Sequence, residues 1–271
     1  RTHKYIAQSY TWGKSPRTRW IKVNDKEIRV ANSLFDALTA FRRIGEDVIL
    51  WVDALCINQA DNKEKSHQIT RMTEVYRNAE EVFVFLGRDS PHLTRPIMTE
   101  MKKADKQSSY PQMKRYLEKL EWKKFKDGLK DLLNREWFKR VWILQEVAFA
   151  RTLRIFCGSQ SVSDTCFVAA AEAADIDLKP HCRAIFEIMP RQHRTFHMGS
   201  QEQITSSWWS PEKTALADLL KLFGNREATQ ACDKVYALLS MSSDARDTDY
   251  LRPEYGKPDA EVVYDTAAFV V

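Results

Sequence analysis

Val48-Ile49-Leu50-Trp51-Val52-Asp53-Ala54-Leu55-Cys56-Ile57-Asn58-Gln59 is the stretch from which the fold follows. Its first five residues are a continuous apolar run, the pattern of a strand covered on both faces in a parallel sheet. Polar groups follow at once, with Asp53 first and Asn58 and Gln59 shortly after. Asp61 or Asn62 then opens a helix whose apolar face is Ile69, Met72, Val75 and Tyr76, at helical spacing. A second apolar run, Val82-Phe83-Val84-Phe85-Leu86, ends at Gly87. Upstream, residues 5–10 read as a strand, and residues 20–23 and 27–30 flank Asn24-Asp25 as a hairpin. Asn32 or Ser33 caps a helix with Leu34, Leu38 and Phe41 inward. Alternating strands and helices predict an α/β fold with a mainly parallel sheet and right-handed crossovers.

Downstream, residues 91–112 are polar and punctuated by proline. Residues 113–134 read as one long basic helix, and residues 137–150 as an unusually apolar one. Residues 153–157 form a short strand ended by Gly158. Beyond it the pattern is mostly helical, with candidates at 167–174, 184–189, 215–223, 235–241 and 260–271. A polar loop at 193–210 carries Trp208-Trp209. No internal repeat and no linker divides the chain, so one domain is expected. Its core is residues 1–157 with a helical insertion at about 88–136, and residues 158–271 are a mostly helical extension.

Composition excludes several function classes. The 271 residues hold eight glycines, at 13, 45, 87, 128, 158, 199, 224 and 256, no two within ten positions. Neither glycine-rich phosphate-binding fingerprint fits that spacing. No apolar run approaches the length of a membrane span. Five scattered cysteines, without a C-x-x-C pair, point to reduced thiols and a cytoplasmic setting. The chain begins at Arg1 and stops inside an apolar run, as a fragment of a longer polypeptide would. The net charge is +5; residues 102–140 alone hold thirteen Lys and Arg against six Asp and Glu. Glu118 and Glu121 interrupt that basic stretch, and no nucleic-acid recognition motif accompanies it, so a solvated helix face is the expectation. Self-association through it is the alternative.

Three blocks carry more than composition. Tyr5-Ile6-Ala7-Gln8-Ser9-Tyr10-Thr11-Trp12-Gly13 is the first, the stretch from Leu50 to Gln59 the second, and Trp137-Phe138-Lys139-Arg140-Val141-Trp142-Ile143-Leu144-Gln145-Glu146-Val147 the third. Glu64-Lys65-Ser66-His67-Gln68, Asp233-Lys234-Val235-Tyr236-Ala237-Leu238-Leu239 and Pro253-Glu254-Tyr255 extend the match. Together they resemble the fungal heterokaryon-incompatibility (HET) domain family over nearly the whole chain. Gln8 departs from the pattern, which has an apolar residue there. The resemblance implies a role in non-self recognition and regulated cell death, triggered by a partner domain in the full-length protein. HET domains also look like distant relatives of TIR domains, which implies a flavodoxin-like sheet. Trp142-Ile143-Leu144-Gln145-Glu146 matches the W-x-x-x-E motif that carries the catalytic glutamate of NAD-cleaving TIR domains. The insertion at about 88–136 is a departure from the TIR pattern. The reaction implied is hydrolysis of NAD+ as substrate, with no cofactor.

Glu146 is the catalytic candidate. It either holds the ribose hydroxyls of NAD+ and stabilises the oxocarbenium-like centre, or it pairs with Arg140 and holds its helix. Ser9, Tyr10, Trp12 and Gly13 leave one strand end, and Asp53, Cys56, Asn58 and Gln59 leave another. Ligands in open α/β sheets bind beyond such ends, so these residues, with Arg140 and Trp142, are the NAD+-binding candidates. A buried hydrogen-bond network tying the loops down is the other reading. Trp12 or Tyr10 either stacks on a base or packs in the core, and Gly13 supplies a positive φ or a close backbone approach. Cys56 with His67 is a weaker nucleophile pairing. Neither His181-Cys182 nor His193-x-x-x-His197 completes a metal-ligand set.

Overall fold

The computed structural model describes residues 3–13, 16–42, 47–190, 209–210 and 212–271. Strand β1 (Ile6–Tyr10) leads to a hairpin of β2 (Arg17–Val23) and β3 (Lys26–Ala31). Asn24 and Asp25 form its two-residue turn with φ +48° and +64°, the left-handed conformation such turns require. Then come α1 (Asn32–Arg42), β4 (Leu50–Trp51), α2 (Asp53–Cys56), α3 (Asn62–Asn78) and β5 (Glu81–Phe85). Asp61 caps α3, accepting from the backbone N–H groups of Lys63 and Glu64. Helices α4 (Thr94–Asp105), α5 (Tyr110–Glu118) and α6 (Trp122–Leu133) follow, then a 3-10 turn at Glu136–Lys139 and α7 (Ile143–Ala148). Strands β6 (Leu153–Cys157) and β7 (Gln160–Ser163) complete the main sheet. The rest is helical: α8 (Asp164–Ala173), α9 (Pro180–Ile188), α10 (Leu216–Phe223), α11 (Asp233–Leu239) and α12 (Asp259–Val270).

The main sheet runs β4-β1-β5-β6-β7. Its first four strands are parallel, and β7 returns antiparallel beside β6. This is the expected α/β class. Along the chain the parallel strands take the order second, first, third, fourth, so the crossover reverses between β1 and β5. Register levels Tyr10 with Phe85 and Phe85 with Phe156, which brings the carboxyl ends of β1, β5 and β6 to one edge.

Period-2 alternation divides the strand side chains between two layers. Tyr10, Phe83, Phe85 and Phe156 face α1, where Phe41 meets Phe83 and Phe156 edge-on at 5.1 and 4.9 Å. Ala7, Val82, Val84 and Ile155 face the other way, onto a larger core with Tyr76, Met98, Leu132, Ile143 and Phe167. Burying each such ring contributes about 1.5–3 kcal/mol. Gln8 shares the face of Ile6 and Tyr10. It is 1% exposed, and neither end of its amide has a hydrogen-bond partner. A buried amide of that kind costs about 1–3 kcal/mol. Gln8→Leu is therefore expected to raise the thermal midpoint by roughly 2–8 °C, read by calorimetry. An unchanged or lower midpoint would mean that the amide is satisfied in solution.

Four local expectations are corrected. The 48–52 run is not covered on both faces: only Leu50 and Trp51 pair, half-buried, because β4 is the sheet edge. The polar 91–112 stretch contains α4, which buries Ile97, Met98, Met101 and Ala104. The expected 113–134 helix is two. At the break the Leu117 carbonyl accepts from the Leu120 N–H at 3.1 Å and from the Trp122 indole N–H at 3.0 Å. The expected 137–150 helix is broken at Arg140, whose backbone is extended (φ −69°, ψ 143°). A strand-like bridge holds that break open: the Val141 N–H donates to the Glu227 carbonyl at 3.0 Å, and the Glu227 N–H to the Lys139 carbonyl at 2.9 Å. Among the described residues, no helix is long and apolar enough to cross a membrane.

Candidate functional site

The carboxyl ends of β1 and β4 and the start of α7 meet at one place. Ser9 lies near the end of β1, Asp53 opens α2 directly after β4, and α7 carries Glu146. The break at Arg140 turns that side chain back toward β1, where its Nη1 donates to the Tyr10 carbonyl.

A chain of hydrogen bonds fixes the carboxylate. The Trp137 indole N–H donates to Ser9 Oγ at 2.7 Å, and Ser9 Oγ donates to Glu146 Oε2. Glu146 is 2% exposed. Burial pushes its carboxyl up to about 7, against the pull of Arg140 and the Ser9 bond and with a push from Asp53. Asp53 is fixed as firmly. Its Oδ2 accepts from the Trp12 indole N–H at 2.9 Å, and its Oδ1 from the Ala54 backbone at 2.7 Å. Burial raises its pKa above the ordinary carboxylate value, and Arg140 works against that. Both carboxylates thus feel the charge of one guanidinium, whose own hydrogen bond is to the Tyr10 carbonyl.

These groups open into a cavity of about 220 Å³. Trp12, Asp53, Gln59, Arg140, Trp142 and Glu146 line it, all of them expected from the sequence. Lys65, Gln230, Asp233 and Tyr255 also line it and were not expected there. The Tyr255 hydroxyl donates to Asp233 Oδ1 at 2.5 Å. Lys65 Nζ stands 3.5 Å above the Tyr255 ring. Burial lowers the Lys65 pKa, while the Asp233 charge works to raise it. The signals for Lys65, Asp233 and Tyr255 are the Glu64–Gln68, Asp233–Leu239 and Pro253–Tyr255 blocks, which the sequence displays but does not tie to the first three; Gln230 lies in none of them. Tyr255→Phe is expected to destabilise by about 1–3 kcal/mol, because it takes a donor from a carboxylate that is 5% exposed. Urea unfolding checks this; no change would place water in the hydroxyl's position.

The other expected residues lie elsewhere. Ser9 and Tyr10 are buried behind the cavity, and Tyr10 lines, with Gly13, a separate cleft of about 150 Å³. Gly13 has φ +68°, the conformation expected of it. Cys56 and Asn58 are exposed and do not line the 220 Å³ cavity: Cys56 ends the single turn of α2, and Asn58 is in the loop after it, where its Oδ1 accepts from the Ala60 N–H at 3.2 Å. His67 lines a different cavity from the one around Glu146. The other four cysteines are buried free thiols, and burial pushes Cys182 up to about 12 and Cys232 to about 11. Among the described residues, no three His, Cys, Asp or Glu side chains gather as a metal set. His193, His197 and Trp208 lie outside the described residues. On the basic helices, Lys124 pairs with Glu121 at 2.5 Å, and Lys114 lies 4.0 Å from Glu118.

The family model for Heterokaryon incompatibility protein (HET) matches residues 5–146. Heterokaryon incompatibility protein 6, OR allele, of Neurospora crassa is 30% identical, over 93% of this chain and 44% of its own length. The chain thus spans less than half of that relative. No solved structure matches. The matched region closes at Glu146, so Asp233 and Tyr255 reach the cavity from beyond it.

Proposed function

Because the chain belongs to the heterokaryon incompatibility (HET) family, we propose that it is an effector of fungal non-self recognition and regulated cell death, acting by TIR-like hydrolysis of NAD+. A partner domain of the full-length protein brings copies of it together in the cytoplasm, and self-association completes the active state. One observation carries the enzymatic reading. A carboxylate held at 2% exposure opens, beside a second carboxylate, into a cavity walled by Trp12 and Trp142. The strand order, second-first-third-fourth, is that of flavodoxin-like sheets and supports the TIR-like kinship.

The chemistry follows from those groups. The bond between the ribose C1′ and the nicotinamide nitrogen breaks, and nicotinamide leaves with the bonding pair. Positive charge grows at C1′, where the Glu146 and Asp53 carboxylates stabilise it. Water adds to C1′ and releases a proton, giving ADP-ribose. Arg140 limits the mutual repulsion of the two carboxylates. The 220 Å³ volume is below the roughly 300–1,000 Å³ of drug-sized pockets. It receives the nicotinamide riboside end, and the rest of the dinucleotide lies outside it.

The test is incubation of the assembled protein with NAD+ and chromatographic measurement of nicotinamide. Release that disappears in Glu146→Ala supports the reading. No release from the wild type, or equal release from the variant, would falsify it. A non-enzymatic TIR-like signalling module is then the better reading, and the Trp137–Ser9–Glu146 chain favours it as a purely structural network. In that case Glu146→Gln keeps its lethality in cells.

A further inference from the structure

A second cavity, of about 880 Å³, lies between α9 and α10. Pro180, Ala184 and Leu222 give it apolar walls, and Arg226 is on its floor. Arg226 is 6% exposed. Its Nη1 donates to the Phe138 carbonyl at 2.8 Å, and its Nη2 to the His181 carbonyl at 2.8 Å. Its Nε has no partner, and among the described residues no carboxylate pairs with it. Carbonyl oxygens satisfy hydrogen-bond directions but bring no net charge. Apart from the Phe223 ring, 5.2 Å from its Cζ, the contacts of this buried guanidinium among the described residues carry no negative character beyond carbonyl dipoles, and an anion beside it would offset the cost of its burial. His181 Nε2, on the same wall, is also buried without a partner. Burial, with the Arg226 charge, pushes its imidazole down, so it stays neutral and adds a hydrogen-bonding group. The acids around the cleft do not discharge the floor: Asp177 and Glu227 are exposed, and Glu187 sits on the α9 wall.

We propose that this cleft is a second ligand site, taking a small organic oxyanion, a carboxylate or phosphate on an apolar or aromatic body, with Arg226 as its charge partner. With Nη1 and one Nη2 hydrogen on backbone carbonyls, the donors left are Nε–H and the second Nη2–H, an edge that suits both oxyanions, and the volume is that of a drug-sized ligand. Lys179 and Arg183 also line the cleft as exposed cations, Arg183 with its charge partly met by Asp177 at 3.5 Å and Lys179 donating to the neutral Asn134 Oδ1 at 2.6 Å. The site also touches the first one. Arg226 Nη1 lies 3.4 Å from the Arg140 carbonyl oxygen, and Lys139 lines this cleft while Arg140 lines the other cavity. An occupant therefore bears on the segment that delivers Arg140.

Calorimetric titration of the chain with octanoate, AMP and inorganic phosphate, each against sodium chloride at matched ionic strength, tests the assignment. One-to-one saturable binding of octanoate or AMP is expected, at least tenfold tighter than inorganic phosphate. Ala184→Trp, which fills the cleft without touching Arg226, and Lys179→Glu with Arg183→Glu are each expected to weaken it at least tenfold. Arg226→Met should abolish it; should that variant not fold, the other two still decide. No saturable binding of octanoate or AMP overturns the proposal, as does binding that ignores these variants. Inorganic phosphate binding as tightly as the organic anions would overturn the apolar part of the ligand class. AMP is a part of NAD+, so AMP binding counts for this cleft only where the Ala184→Trp and Lys179→Glu/Arg183→Glu variants weaken it; octanoate shares nothing with NAD+, and failure of either leaves the proposed activity untouched.

Discussion

Glu146→Gln is expected to cut nicotinamide release by about a hundredfold or more while making the protein more stable at alkaline pH. The first half follows from charge. Replacing the carboxylate by an isosteric amide keeps an acceptor for Ser9 but removes the negative charge facing C1′, and losses of about 10²–10³ accompany removal of one transition-state electrostatic contact. The second half follows from the raised pKa. Burial carries Glu146 from the ordinary value near 4.5 to about 7. Between those values the folded chain binds a proton that the unfolded chain does not, so stability falls as pH rises from about 4.5 through 7. Below 4.5 both states are protonated and the group is neutral in its effect. Above 7 the fold carries a buried charge that costs roughly 3 kcal/mol. The amide never ionises. The variant should match the wild type near pH 4.5 and exceed its thermal midpoint by several degrees at pH 8. A parallel pH profile for the two proteins would mean that Glu146 stays ionised in the fold. A catalytic loss without the stability gain would show the charge to be well compensated by Arg140.

The parts of this arrangement that the sequence displays are the local ones. Residues 82–86 read correctly as a strand because a buried parallel strand is a continuous apolar run whatever lies beside it, and residues 153–157 because Leu153, Ile155, Phe156 and Cys157 run up to the turn at Gly158 despite Arg154. The same pattern misled at 48–52, because nothing local distinguishes an edge strand from a central one. Helix α4 was hidden: Pro96 and the charges at Arg95, Glu100, Lys102 and Lys103 mask Ile97, Met98 and Met101, which are fully buried. The break at Arg140 depends on Glu227, far along the chain, so no window around 137–150 contains its cause. The site divides in the same way. Trp12, Asp53, Gln59, Arg140, Trp142 and Glu146 belong to strand ends or to one motif, and the topology brings them together. Lys65, Asp233 and Tyr255 are placed by packing of the helical C-terminal part. Cys56 and Asn58 belong to the right block but point out of it, because a four-residue helix after a strand end presents only some of its positions inward and Asn58 is already in the loop beyond it.

Gly128→Ala is expected to destabilise the chain by about 1–2 kcal/mol net, against what helix propensity alone predicts. Alanine is the better helix former by about 1 kcal/mol, and Gly128 is in the interior of α6. At that point, however, α6 passes directly over the start of α4. A Cβ added to Gly128 would lie 2.1 Å from the Leu93 carbonyl oxygen and 3.0 Å from Ile97 Cγ2. The carbonyl is backbone, so no rotamer change relieves the overlap, and the two helices must separate by about an ångström. That separation would loosen Ile97, Met98 and Met101 on α4 against Leu129 and Leu132 on α6, all completely buried. Overpacking of this kind costs about 1–3 kcal/mol, occasionally more, and here it comes with a displaced helix pair. Denaturant unfolding reads the difference directly; a midpoint equal to or above the wild type's would show that α4 and α6 do not approach this closely. None of the residues lining the 220 Å³ cavity lies on α4 or α6. Activity per folded molecule should therefore survive, which separates this glycine from Glu146: one sets how closely the helical layer packs, the other what the cavity does.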